Sequence, residues 1–162
     1  MRRFRDRCVM TPILIGFIMP SLIIFVLEVF VGRISPFASL MDIAYRQFAS
    51  GHNLFLLALF GLIPFVILST MLLVLASRLP RRRMWCLCIS GLIGILGLMI
   101  PAHASVWLPL YTRRHMSSTA VVAFIFIPFF CTVTLLIGLA VGWLVSLAPW
   151  FQRGGEPVAY GV

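Results

Sequence analysis

Glu28 is the strongest candidate for a chemical role in this sequence, because it is the one acidic residue inside a long apolar stretch. The stretch reads "VMTPILIGFIMPSLIIFVLEVFV" over residues 9–31. Ionisable side chains in such stretches are rare and are functional candidates by default, for example in proton or ion transfer. A structural role is nevertheless favoured over transport, and we predict that Glu28 contacts a basic side chain near the same end of the stretch. The candidate basic partners are Arg33, His103, Arg113 and Arg114.

The three histidines do not form a pattern typical of a cofactor site. Only His103 falls inside an apolar stretch, whereas His52 and His115 fall at or beyond its boundaries. A b-type haem held by two histidines needs both of them on facing membrane helices, and no short-range ligand spacing indicates a metal. We therefore expect no metal and no other cofactor.

The four cysteines exclude a quinone-linked disulfide oxidoreductase, a class of small four-helix membrane enzyme. That class needs redox-active cysteine pairs on the outer side, and the predicted outer loops contain none. Cys86 and Cys88 are two residues apart, which on a helix separates their directions by about 200°. The cysteines are expected to be reduced packing residues.

A serine-rich segment, "SSTAVVAF" from Ser117, precedes the last apolar stretch and lies close to His115. A serine nucleophile needs a base and a third group that orients the base, and the segment has no acid. Helix capping is the expected role of these hydroxyl groups. We therefore predict that the protein is not an enzyme.

The elements that carry these residues are membrane helices. Of 162 residues, 62% are hydrophobic and 10% are charged, against about a quarter charged in soluble domains. Four stretches reach the roughly 20 residues that a membrane helix needs. The predicted spans are residues 9–31, 54–76, 84–108 and 120–148, and an internal proline is predicted to kink each of them, at Pro20, Pro64, Pro101 and Pro128. The sequence therefore predicts a single all-α integral membrane domain over residues 1–162, an antiparallel bundle of four proline-kinked helices whose first span is an uncleaved anchor.

Arginine placement predicts the orientation of this bundle. Nine of the thirteen arginines fall in the N-terminal segment, the 77–83 loop and the 149–162 tail. Basic residues in short loops favour the cytoplasmic side. We therefore expect cytoplasmic termini, outer loops at 32–53 and 109–119, and an inner (plasma) membrane location. The arginine cluster that fixes this topology in the 77–83 loop comprises Arg78, Arg81, Arg82 and Arg83.

The net charge of +9 would by itself suggest a nucleic-acid partner. In a membrane protein the same excess reflects loop asymmetry and attraction to anionic lipid headgroups. We therefore expect no nucleic-acid binding, and the lipid bilayer is the first expected partner.

The first outer loop contains a helical pattern of its own. Ser39 followed by Asp42 resembles a capping box, and Asp42 and Arg46 have the i, i+4 spacing of a helical ion pair. Gly51 falls where a helix C-cap is expected. The pattern predicts a short helix along the outer membrane surface, either a lid on the bundle or an element that docks a partner. Candidate residues for partner or ion interaction are Glu28, Asp42, Arg46, His103, Arg113 and Arg114.

Small residues in the last two spans predict close helix packing. Gly91, Gly94 and Gly97 recur every third residue, and Gly138 and Gly142 form a GxxxG motif. We expect these glycines to pack within one bundle rather than to form a dimer.

In size, span number and predicted cytoplasmic termini, the chain resembles the small four-helix immunity proteins that protect the bacterial inner membrane from pore-forming toxins. This resemblance carries no diagnostic motif. It implies a non-catalytic protein that binds another membrane protein, such as the inserted helices of a toxin. The alternative is a small transporter, or an accessory subunit of a transport or assembly complex, that uses Glu28. Small multidrug transporters also have four spans with a glutamate in the first, but they are shorter and the glutamate lies deeper.

Overall fold

The part of the chain that the structure describes folds into six helices. The computed structural model describes residues 2–47, 54–112 and 120–148, with side chains described at 9–47, 54–112 and 124–148. Within these segments every regular element is a helix. In chain order they are α1 (Arg2–Phe30), α2 (Pro36–Arg46), α3 (Leu54–Gly61), α4 (Ile63–Leu75), α5 (Arg81–Tyr111) and α6 (Ala120–Leu147).

Four helical segments are long and apolar enough to cross a membrane, which confirms the predicted all-α class and span number. They are Val9–Phe30, Leu54–Leu75, Arg81–Tyr111 and Phe124–Leu147. Each exceeds the length that the hydrocarbon core requires. Large apolar side chains cover their outer surfaces, which fits a multi-pass membrane protein whose helices contact lipid.

The second span is interrupted at Leu62, between α3 and α4. Pro64 is the second residue of α4 and has no N–H group to donate to the preceding turn. The Leu62 N–H contacts two carbonyls, those of Ala58 at 3.0 Å and Leu59 at 3.3 Å, before the Val66 N–H resumes the helical pattern. The interruption therefore lies next to Pro64, one of the four prolines at which a kink is predicted. Kinks at the other three prolines, which lie inside continuous helices, remain predictions.

The third span is longer than predicted at both ends. Residues 81–83 form the first turn of α5 and are not part of a loop, because Pro80 has the extended backbone of an N-cap. Arginine is also a good helix former, so it does not oppose this start. At the other end, residues 109–111 continue the helix beyond Leu108. This extension carries Tyr111 to the C-terminal end of α1, beside Glu28.

Two apolar clusters form the interior. The larger lies among α4, α5 and α6 and includes Phe65, Leu68, Leu72, Ile95, Met99, Cys131 and Leu135. The smaller lies at the Glu28 end of α1 and comprises Ile23, Ile24, Leu27, Ile43, Leu54 and Trp107. Ile43 belongs to α2, so this short helix completes the second cluster.

The most extensive helix pair is α5 with α6, and glycines bring their backbones together. A Cβ atom added to Gly94 would lie 2.4 Å from the Thr134 carbonyl oxygen, and one added to Gly138 would lie 2.5 Å from the Ser90 carbonyl oxygen. At Gly97 a Cβ atom would meet nothing within 4 Å. Packing within the bundle is therefore confirmed for Gly94 and Gly138, and Gly97 is outside the close contact. We call this close contact the α5–α6 seam.

A candidate site at the buried carboxyl of Glu28

A tight reversal at the end of α1 prepares the site. The Gly32 N–H donates to the Leu27 carbonyl at 3.0 Å, and the Ile34 N–H donates to the Glu28 carbonyl at 3.0 Å. Arg33 has a positive φ of 54°, which is uncommon for a side chain larger than glycine. At Gly32 a Cβ atom would lie 2.8 Å from the Glu28 carbonyl oxygen. The reversal directs the chain back toward α1.

The α2 helix begins earlier than the capping pattern predicted. Its N-cap is Ser35, whose hydroxyl accepts a hydrogen bond from the Ala38 N–H at 3.4 Å, and Pro36 occupies the first helical position. Proline is favoured there because its φ is already helical and its missing N–H is not needed. The predicted cap at Ser39 is therefore wrong. Ser39 lies one turn inside α2 and is fully buried.

The Glu28 carboxyl group joins three helices. Its side chain is 0% exposed. The Ser39 hydroxyl of α2 donates to Oε2 at 2.6 Å, and the Tyr111 hydroxyl of α5 donates to Oε1 at 3.1 Å. Hydrogen bonds are required here, because a buried carboxyl without partners is strongly destabilising. Glu28 thus ties α1, α2 and α5 together.

Two of the four basic partners expected for Glu28, Arg33 and His103, lie within the described residues. Within the described segments no arginine or histidine forms an ion pair with Glu28, and Arg33 is exposed. His103 is buried on α5, two turns from Tyr111. The candidates Arg113 and Arg114 lie outside the described residues, so a contact with either of them stays a prediction. The hydrogen bonds that the structure describes come from two neutral hydroxyl groups.

Sequence reasoning missed both of these hydroxyl groups. The capping pattern predicts Ser39 at the start of a helix, and the predicted end of the third span at Leu108 places Tyr111 in a loop. A usable signal existed for the tyrosine, because Tyr111 follows Trp107 by four residues and His103 by eight, which places all three on one face of a helix. No comparable signal in the sequence marks Ser39.

That face of α5 carries two further buried polar groups. His103 Nδ1 and Trp107 Nε1 have no hydrogen-bond partner among the described residues. The rings of both residues pack against Phe124 of α6, with centroid distances of 5.6 and 5.8 Å. Buried polar atoms without a hydrogen-bond partner are destabilising. These two nitrogens therefore mark the part of the described interior where hydrogen bonding is least complete. The described residues contain no cluster of three or more His, Cys, Asp or Glu side chains suited to a metal ion.

The far end of α2 is also attached to α1. The Gln47 amide donates to the Ser21 hydroxyl at 3.2 Å, and Ile43 lies in the smaller apolar cluster. As residue numbers rise along α2 from Ser39 to Gln47, their α1 partners fall from Glu28 to Ser21. The α2 helix therefore runs antiparallel to α1. The C-cap expected at Gly51 lies outside the described residues.

The predicted Asp42–Arg46 pair is present. Their side chains are 2.6 Å apart and partly exposed. Four large side chains on the side of α2 away from the bundle are 57–79% exposed, and we call them the α2 outer face: Phe37, Leu40, Met41 and Tyr45.

The cysteines and the arginine cluster lie away from this site. Cys86 Sγ donates to the Gly142 carbonyl at 3.4 Å, Cys88 and Cys131 are buried, and none of these three described cysteines forms a disulfide. Arg78, Arg81 and Arg82 are exposed at the opposite end of the bundle from Glu28.

Comparison of the chain with protein-family models, curated proteins and solved structures found no match.

Proposed function

We propose that this chain is a non-catalytic bacterial inner-membrane protein that acts by contact with another membrane protein. Most specifically, we propose an immunity protein against a pore-forming toxin. One observation carries the proposal: α2 is anchored firmly on its inner side and presents an apolar surface on its outer side.

The inner side of α2 is held at two points about two helical turns apart. The Glu28–Ser39 hydrogen bond holds its beginning, and the Gln47–Ser21 hydrogen bond holds its end. Side chains positioned by a fixed scaffold lose less entropy on binding, which favours affinity. Anchoring therefore supports a role of α2 in presenting its outer face.

The α2 outer face has the composition of a binding surface. Its exposed residues include two aromatic rings and one methionine, types that are enriched in protein interfaces. The Asp42–Arg46 pair lies beside them and supplies charge at the rim. Because interface energy concentrates in a few anchor side chains, Met41 and Tyr45 are the residues that we expect to dominate.

The arginine distribution supports the side on which this contact occurs. Basic loops favour the cytoplasm, so the arginine cluster and both termini belong inside, and α2 belongs outside. A toxin that inserts from outside would reach α2 before the rest of the bundle. Contact there would hold the inserted toxin helices before a pore opens.

The test is affinity purification from mild detergent, with identification of bound proteins and a toxin-survival assay. The variant Met41→Ser/Tyr45→Ser is compared with Ile93→Ser/Leu144→Ser, whose side chains are 66% and 67% exposed on α5 and α6. We expect the α2 variant to lose partner recovery and protection, and the control to keep both. Equal recovery with the two variants would contradict the proposal, as would recovery of this chain alone from cells that carry the cognate toxin.

The alternative is a small transporter, or a subunit of a membrane complex, that uses Glu28. The observation in its favour is the buried Glu28 carboxyl group at the same end of the bundle as the His103 and Trp107 nitrogens, which have no hydrogen-bond partner among the described residues. Proton and cation flux into proteoliposomes would be compared for Glu28→Gln and Asp42→Asn. Flux that is lost only with Glu28→Gln would favour transport over the first proposal.

A further inference from the structure

An open apolar groove of about 490 Å³ lies among α4, α5 and α6, at the arginine-cluster end of the bundle. This volume is within the range of small-molecule sites, about 300–1,000 Å³. Apart from the Thr70 hydroxyl and the Trp143 indole, its walls are hydrocarbon or thioether side chains. Leu75 of α4, Leu87 of α5 and Ala140 of α6 each form part of the wall.

Two arginines extend the walls of this groove toward the end of the bundle. The Arg78 N–H donates to the carbonyl of Leu75 at 2.9 Å, so Arg78 lies one turn beyond the α4 wall. Arg83 precedes Leu87 by four residues in α5, which places it on the same face one turn away. The Arg78 side chain is exposed and that of Arg83 is half-buried.

The charged side chains that the structure describes at this end of the bundle are all arginines, since the two described acidic side chains, Glu28 and Asp42, lie at the other end. No acidic residue occurs in the sequence between Asp42 and Glu156. The groove is also next to the N-terminus of α5, where Pro80 provides no side-chain cap. Helix N-termini carry a partial positive charge and attract phosphate groups.

An apolar groove that ends at two arginines and a helix N-terminus matches an amphipathic anion. We propose that the groove binds one acyl chain of an anionic phospholipid and that Arg78 and Arg83 bind its phosphate group. Basic pockets between membrane helices are known to hold anionic headgroups. This site is independent of α2 and of the proposed function.

The test uses the purified full-length chain, stripped of lipid in mild detergent. Native mass spectrometry would measure bound dioleoylphosphatidylglycerol and dioleoylphosphatidylcholine, which share acyl chains and differ in headgroup charge. We expect roughly tenfold preference for phosphatidylglycerol, since each arginine near a membrane surface contributes appreciably to the binding of anionic lipid. Equal retention of the two lipids would overturn the proposal.

Two pairs of variants distinguish the contribution of the headgroup contacts to lipid binding from that of the apolar groove. Arg78→Gln/Arg83→Gln should remove the preference, whereas Arg33→Gln, an exposed arginine at the other end, should keep it. Ala140→Leu should reduce binding of both lipids by narrowing the groove. Its control is Gly97→Leu, which lines a neighbouring groove between α5 and α6 where an added Cβ atom has open space.

Thermal unfolding of each variant would show that the bundle remains folded. A preference that survives Arg78→Gln/Arg83→Gln, or that disappears equally with Arg33→Gln, would exclude the assigned phosphate site. Unchanged lipid binding in the Ala140→Leu variant would show that no acyl chain occupies the groove, and this would also overturn the proposal.

Discussion

The α5–α6 seam and the junction of α1 with α2 are held by different physical interactions. At the seam, Gly94 and Gly138 let two long helices approach until backbone meets backbone. At the junction, one buried carboxyl group accepts hydrogen bonds from two side chains of other helices. The seam is shape complementarity spread over several turns, whereas the junction depends on a few polar atoms.

The difference matters because lipid is as apolar as leucine, so apolar burial alone does not drive helices together inside a membrane. Close packing and interhelical hydrogen bonds take over that role. The α5–α6 seam depends on close packing of backbone atoms, which cannot rotate away. The junction depends on interhelical hydrogen bonds, so a change of one side chain can release α2 while the four spans stay together.

The largest expected effect is at the seam, in Gly94→Ala. The added methyl group would lie 2.4 Å from a carbonyl oxygen of Thr134 that cannot rotate away. We expect a loss of about 3 kcal/mol in the free energy of unfolding, at the upper end for overpacking. Denaturation of the purified protein in mixed micelles, followed by circular dichroism, measures it.

The matched control is Gly97→Ala, one turn along the same helix, where the methyl group has open space. Its unfolding free energy should be unchanged or slightly higher, because alanine favours helix more than glycine. Similar losses for both variants would show that the seam is not defined by backbone approach.

The next effect is at the junction, in Glu28→Ala. This variant removes the acceptor for both the Ser39 and the Tyr111 hydroxyl groups. We expect a loss of about 2 kcal/mol and a large rise in amide hydrogen exchange across α2. Exchange in the central part of α6 should stay as in the wild type, and a rise there of the same size would show that the two regions unfold together.

A smaller effect separates the two hydrogen bonds of Glu28. Ser39→Ala should destabilise the protein by about 1 kcal/mol and Tyr111→Phe by less, since the serine contact is shorter and fully buried. A double-mutant cycle measured by hydrogen exchange of α2 would give the coupling between them. If Tyr111→Phe releases α2 more than Ser39→Ala does, α5 rather than α2 is the main partner of Glu28.

The smallest effect is expected at the partly exposed Asp42–Arg46 pair. Replacement of Asp42 by Asn should change the unfolding free energy by about 0.5 kcal/mol or less, because solvent screens such pairs. Added salt should abolish even this difference. A persistent effect at high salt would show that the pair is shielded from solvent, unlike an ordinary exposed pair.

The α5–α6 seam and the junction of α1 with α2 also differ in how well the sequence predicts them. The glycine pattern of α5 and α6 is visible in the sequence, and it predicted the seam correctly except at Gly97. Glu28 is visible in the sequence as an unusual residue, but its pairing with Ser39 and Tyr111 is not, because these partners lie 11 and 83 residues away in sequence. The capping pattern at Ser39 also misplaced the start of α2 by four residues.

The sequence by itself determined the all-α class, the four apolar spans and the asymmetry of arginine between the two ends. These are local properties, since span length and apolar content follow from the bilayer as solvent. Only the tertiary structure decided which face of α2 is buried, that α2 runs back along α1, and that Glu28 joins three helices. Those features depend on the rotation and depth at which helices meet, which no single segment encodes.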